Sequence, residues 1–413
     1  METKMRWRYL AAGSITAALA LPVHAQSSVT LYGIIDLGLT YTNIAQTAKV
    51  GNRLVGASQF SLTDAHATGL SGSRWGLRGA EDLGGGTKAI FVLENGFMAN
   101  TGALAQGGAE FGRQAYVGIS SNYGTVTAGR QYDPLIDFVQ QFSASGSWAG
   151  YMGAHPDDLD NLTNTNRINN SVKFTTAKYG GFSAGALYSF GGAAGSVTQN
   201  QIWGAGLGYT GGSFALAAGY LNARDPNVSF YGNTPNKGTS TANNIGGGGS
   251  ATAPQSNPVF AGYASAKTLQ IIGGGASYTA GSAIFSLAAT STRFDSLGSS
   301  SGPNPLGYSG NAVFTSLDFN VRYRLTPALQ LGTGIDYTHR NSVKNDQGAK
   351  YLQLDLGADY NVSKRTDLYL LTVLQRAIGR DSLGQSAVAS IAGFSPSTTD
   401  KQIGVRLGIR HKF

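Results

Sequence analysis

Along the segment from Lys401 to Phe413, apolar and polar side chains alternate. Ile403, Val405, Leu407, Ile409 and Phe413 share one parity with His411, while Gln402, Gly404, Arg406, Gly408, Arg410 and Lys412 hold the other. Successive side chains of an extended chain point to opposite faces, so this pattern is a β-strand between two different solvents. It recurs at 351–362, where Leu352, Leu354, Leu356, Ala358, Tyr360 and Val362 oppose Gln353, Asp355, Gly357, Asp359 and Asn361. At 312–325, Val313, Leu317, Phe319, Val321 and Tyr323 oppose Ser316, Asp318, Asn320, Arg322 and Arg324.

Followed along the chain with turn residues as punctuation, the periodicity predicts sixteen strands: 28–43, 73–81, 87–98, 110–120, 124–132, 169–178, 182–190, 200–210, 213–223, 267–279, 283–295, 312–325, 329–341, 351–362, 366–378 and 401–413. The connections fall into two alternating classes. Short turns occur at DLGGGT, SNYGT, AKYGGF, YTGGS, YTAGS, RLTPA and NVSKRT, and longer polar segments lie between them at 44–72, 99–109, 133–168, 191–199, 224–266, 296–311, 342–350 and 379–400. Short turns at one end and long loops at the other are the signature of an outer-membrane barrel, with lipid outside and water in the lumen. A lectin-like sandwich would also alternate along its strands, but it does not require the two loop classes and usually has fewer strands.

Composition agrees with the membrane reading. The chain has 59 Gly, 10% aromatic residues and only 13% charged residues. No segment beyond the first 25 residues offers the eighteen consecutive apolar side chains of a helical span, and only a helix or a closed barrel satisfies its backbone in lipid. A tyrosine precedes most of the short turns, at Tyr123, Tyr179, Tyr209, Tyr278, Tyr323 and Tyr360, as an interfacial girdle requires. The expected fold class is therefore all-β: a 16-stranded antiparallel transmembrane β-barrel. Its last strand is expected to pair with the first so that no edge is left in lipid.

Residues 1–25 place Lys4, Arg6 and Arg8 before an apolar run from Leu10 to Leu21 and end on Val23-His24-Ala25, which predicts a secretory signal peptide and a mature domain spanning 26–413. The apolar run is too short for a transmembrane helix. These 25 residues carry three of the 30 Lys and Arg and one of the 22 Asp and Glu, leaving +6 from the whole-chain +8. So small and dispersed a balance is no nucleic-acid footprint. With no cysteine, the exported chain uses no disulfide.

Several ordered segments carry a family resemblance: SSVTLYGIIDLGL after the signal, SRWGLRGAEDLGGGTKAIFVLENGF at 73–97, FGRQAYVGISSNYGTVTAGRQYD at 111–133, NRINNSVKF at 166–174, NVSKRTDLY at 361–369, and the final GIRHKF. Together they resemble the general-diffusion porins of β-proteobacterial outer membranes, the group that includes the neisserial and comamonad porins. The resemblance implies a homotrimer surrounded by outer-membrane lipid and lipopolysaccharide, with an inward-folded third loop that narrows a water-filled channel for ions and small hydrophilic solutes. It also implies that the terminal Phe413 is read by the barrel-assembly machinery. No cofactor is implied.

The third long loop, 133–168, has a partly apolar half, DPLIDFVQQFSASGSWAGYM, and a polar half, HPDDLDNLTNTNR, holding Asp157, Asp158 and Asp160. An acidic cluster is usually a solvated loop, but its place in the third loop makes it a candidate acidic wall of the constriction. Arg74 and Arg78 oppose Trp75 and Leu77 in parity, and Arg167 opposes Ile168, so all three are expected in the lumen. By resemblance, comamonad-type members line the constriction with three arginines, which correspond to Arg74, Arg113 and Arg167, with Glu94 as a neighbouring acid. Arg113 shares its parity with Phe111, Ala115, Val117 and Ile119, so pattern alone leaves its direction open, as it does for Arg130.

Fixed cations opposite carboxylates would set up a transverse field and bias ion choice, and the arginines suggest a weak anion preference. Rival readings are a substrate-selective porin, a barrel hydrolase and an adhesin. The hydrolase reading lacks support, since His66, His155, His339 and His411 sit in loops or near strand ends without GxSxG or HExxH around them. The loop acids lack EF-hand spacing, so no metal site is expected.

Overall fold

The computed structural model describes residues 28–233, 243–300 and 302–413. The expected signal peptide, 1–25, lies outside them. The described residues contain seventeen strands: β1 (Ser28–Val50), β2 (Arg53–Asp64), β3 (Arg74–Gly84), β4 (Thr87–Gly96), β5 (Gln114–Ser121), β6 (Gly124–Gln131), β7 (Ile168–Thr176), β8 (Phe182–Ser189), β9 (Ile202–Gly211), β10 (Phe214–Arg224), β11 (Thr268–Ala280), β12 (Ala283–Leu297), β13 (Gly310–Arg324), β14 (Leu329–Arg340), β15 (Ala349–Asn361), β16 (Thr366–Gly379) and β17 (Lys401–Lys412). From β3 onward each strand pairs antiparallel with its successor. β17 then closes on β1, with Ile34 opposite Lys412 and Thr42 opposite Gly404.

The barrel wall has sixteen positions because β2 and β3 share one edge of β1. β3 pairs with Ser28–Ile34, and β2 pairs with Leu37–Val50 above it. Between them the chain leaves the wall as an excursion, 65–73, with a short helix α1 (Ala65–Thr68) capped by Asp64, whose carboxylate accepts from the His66 N–H at 2.8 Å. The sequence pattern predicts a loop over 44–72. Most of that segment is instead a hairpin, because Ser61 and Thr63 bond to Thr40 on the inner face while Phe60 and Leu62 stand exposed outside.

The outer face is the apolar one, with Leu407, Ile409, Leu317, Phe319, Leu352 and Leu356 all exposed, as lipid-facing side chains must be. Five of the tyrosines ahead of short turns are at least 44% exposed on this face, namely Tyr123, Tyr179, Tyr278, Tyr323 and Tyr360. The inner face holds the polar side chains in ion pairs. Arg406 is fully buried against Asp36 at 3.2 Å, and Arg410 bonds Asp367 at 3.1 Å. Phe413 exchanges backbone hydrogen bonds of 3.0 Å with Gly33 in both directions, and its ring covers the face of that glycine.

Candidate functional site

The segment 132–167 between β6 and β7 is the third long connection, and it lies against the inner wall. It opens with helix α2 (Pro134–Phe138), where Asp133 caps the N–H groups of Leu135 and Ile136, and Pro134 takes the first turn, where no N–H is needed. Leu135, Phe138 and Val139 pack with side chains of β8 to β11. The wall makes room with glycines. A Cβ on Gly206 would sit 2.4 Å from the Phe138 ring, on Gly275 2.5 Å from Phe142, and on Gly332 2.3 Å from Trp148. Polar bonds add to these seats: Asp318 accepts from Ala144 N–H at 2.7 Å, and the Asn320 amide donates to the Phe142 carbonyl at 2.9 Å.

On the open side of the loop, Arg74, Arg113 and Arg167 line one cavity of about 600 Å³, together with His66, Tyr132 and Tyr151. Each guanidinium is fixed from a different element. Arg74 starts β3, and its Nε donates to the Gly72 carbonyl at 3.0 Å. Arg167 precedes β7, donates to the Thr165 carbonyl at 3.2 Å, and leaves its buried Nε without a partner among the described residues.

Arg113 lies ahead of β5, which begins only at Gln114, so strand parity does not govern it. Phe111 turns outward to meet Trp75 edge-on at 6.4 Å, and Arg113 turns inward. Its Nε donates to Glu94 at 2.7 Å and its Nη2 to the Tyr132 hydroxyl at 3.0 Å.

Glu94 is 4% exposed and also accepts from Tyr32 at 3.0 Å and Tyr132 at 3.3 Å, so it clamps Arg113 from behind. It is the only carboxylate within 4.0 Å of these three arginines among the described residues. The cluster is thus under-neutralised. Burial, and then the neighbouring Arg113, lowers the Arg167 pKa to about 10, which still leaves it charged at neutral pH.

The other expected residues are placed elsewhere. Arg78 is on the lumen face but about 13 Å along β3 from Arg74 by strand rise; it is exposed, with its guanidinium 5.3 Å from the Tyr32 ring, and does not line the cavity. Arg130 donates to the Gly112 carbonyl at 2.8 Å and to Asn169, so it braces the segment that presents Arg113.

None of Asp157, Asp158 and Asp160 lines the cavity, contrary to the expected acidic wall. Asp158 accepts from Thr163 N–H at 2.9 Å and from Thr165 through both N–H (3.1 Å) and hydroxyl (2.7 Å). Asp157 accepts from Ser390 at 2.8 Å. Asp160 is fully buried between His155 Nδ1 at 2.5 Å and the Thr290 hydroxyl at 2.6 Å. Burial opposes a charged His155, but Asp160, Asp336 and Asp318 outweigh it and hold the imidazole pKa well above its usual value. Backbone geometry gives these residue types a second reason to be here. Asp157, Asp158, Asn161 and Asn164 all take φ between 52° and 63°, a region that Asp and Asn tolerate best among residues with a Cβ.

His66, Tyr132 and Tyr32 also belong to the site, and nothing in the sequence marks them for it. Tyr132 is the last residue but one of AGRQYD and Tyr32 lies in LYG, so both stand inside stretches whose pattern reads only as strand. His66 had no signal of its own, being a single histidine in a segment read as loop.

Comparison with known proteins adds the relatives. A Gram-negative porin family model matches residues 11–372. An outer membrane porin protein of Bordetella pertussis is 38% identical over 186 residues, an alignment spanning 44% of this chain and 47% of that protein. Outer membrane porin protein 32 of Delftia acidovorans is 31% identical over 408 residues, covering 94% of this chain and 95% of that one. The solved structure of an anion-selective porin from Comamonas acidovorans matches with a TM-score of 0.67 at 25% identity, covering 94% of this chain and 100% of that chain.

Proposed function

Because this chain belongs to the Gram-negative porin family, and so to the outer membrane, we propose that it forms an anion-preferring diffusion channel whose narrowest part is the cavity beside the third loop. Export begins with cleavage of residues 1–25 before Gln26. Three barrels assemble as a homotrimer within lipopolysaccharide-bearing lipid, and the assembly machinery recognises Phe413. Ions and small hydrophilic solutes cross passively, because a barrel of this strand number is wide enough for an aqueous channel.

One observation carries the selectivity: three guanidiniums share one cavity, with a single carboxylate paired to any of them among the described residues. An anion passing between them meets donors already oriented toward the path, while a cation meets uncompensated positive charge. The Comamonas acidovorans porin to which the chain is similar is itself anion-selective. Membership of this family favours a channel over the hydrolase and adhesin readings.

The test is conductance of the purified protein in a planar bilayer under a KCl gradient. Step conductance closing in thirds, with a reversal potential of the sign set by chloride, is expected. A reversal potential set by potassium overturns the selectivity, and absence of conductance overturns the channel.

A further inference from the structure

His66 is aimed at the cavity by its neighbours. Asp64 holds its Nδ1 at 2.9 Å, and the same carboxylate accepts from the N–H groups of His66 (2.8 Å) and Ser73 (3.3 Å) through Oδ1 and of Ala99 (3.0 Å) through Oδ2. An ionised carboxylate accepts only, so in the neutral ring the hydrogen sits on Nδ1 and the lone pair on Nε2. That lone pair lies 3.4 Å from Arg113 Nη1, an obligate donor. Asp64, His66 and Arg113 therefore form a relay from the end of β2 to the cavity, continued on the far side of Arg113 by Glu94 and Tyr132.

We propose that His66 is a positioning and specificity-determining residue of the constriction: neutral, it orients Arg113, and protonated, it adds a fourth positive charge to the ion path and strengthens the anion preference. The inference rests on reading the cavity as that path. The charged groups bearing on His66 are Asp64 from β2, Arg113 from the segment before β5 and Arg167 from the segment before β7. Burial disfavours the imidazolium most, Asp64 favours it, and the two arginines oppose it, so its pKa lies below the usual 6.5. At neutral pH the ring is uncharged; as pH falls through the acid range it charges.

The test compares anion-to-cation permeability ratios from reversal potentials between pH 7.5 and 4.5 in the unmodified channel and in His66→Gln. Glutamine offers Arg113 an acceptor and Asp64 a donor but does not titrate. The unmodified ratio should rise about threefold more than that of the variant, the effect of one unit charge near a permeating ion in water-like surroundings. Equal profiles in an anion-preferring channel overturn the role of His66 alone. Absence of anion preference at pH 7.5 overturns the underlying reading instead. Should His66→Gln not assemble, the unmodified profile still decides: a single-proton step with its midpoint below 6.5 supports the proposal, and a flat profile refutes it.

Discussion

The third loop has two sides that use charge in opposite ways. Facing the cavity, Arg74, Arg113 and Arg167 are held mainly by carbonyls, a tyrosine and one buried glutamate, so their positive charge stays available. Facing the wall, Asp157, Asp158, Asp160 and Asp318 each accept hydrogen bonds that fasten the loop to itself or to the barrel. The difference teaches that charge count in a loop does not reveal its field in the pore. What counts is which groups lack a partner on the side where solute passes.

The largest expected effect belongs to the wall side. Asp160→Asn leaves a buried imidazolium without its hydrogen-bonded counter-ion, which should cost about 3 kcal/mol of stability, read from chemical denaturation of the purified protein. Ion preference should scarcely move, and a large change in it would break the comparison. The same pair gives a pH dependence. Because the folded His155 pKa is raised, its contribution is fully present below the unfolded value near 6.5 and is lost as pH rises through the folded pKa. Stability should therefore decline on the alkaline side of pH 6.5, and less steeply in His155→Gln.

Next comes the seating of the loop. Gly206→Val pushes a side chain into the Phe138 ring, an overpacking worth about 2 kcal/mol. Single-channel conductance should rise as the loop lifts from the wall, and unchanged conductance would mean that the loop does not set the width. A smaller effect is expected on the cavity side. Arg167→Gln should lower the anion-to-cation permeability ratio about threefold with little change in stability. The smallest is Asp157→Asn. Burial has already pushed that carboxyl up to about 7, so at neutral pH it is half uncharged, and the change should stay within about 0.5 kcal/mol and leave ion preference alone.

Much of the fold was legible in the sequence because a barrel strand must alternate along its whole length. Strands such as β15 and β17 display that rule without interruption, and their bounds differ from the expected ones by one or two residues. β2 was not legible because only Leu54, Phe60 and Leu62 mark its outer face, interrupted by Gly56 and Ser58, and Gly, Ser and Thr on both faces read as loop.

In the site, Arg74 followed from parity; Arg167 precedes β7, whose alternation is broken by a register shift beside Asn170 that leaves Ile168 buried inside, so parity does not place it. Nor does parity place Arg113, since it precedes its strand and its direction is set by Glu94 and Tyr132 from other elements. Sequence shows the charge of the third-loop aspartates but not their partners, so it leaves a solvated loop and an acidic wall of the constriction both open. Thr290 and Ser390, which fix Asp160 and Asp157, lie 130 and 233 residues away.

The most direct test removes the cavity charge as a set. The reversal potential of the Arg74→Gln, Arg113→Gln, Arg167→Gln channel is measured across a KCl gradient at neutral pH beside that of the unmodified channel. The expected result is an anion-preferring unmodified channel and a triple variant that has lost or reversed that preference. A triple variant that assembles, conducts and keeps the anion preference of the unmodified channel would contradict it.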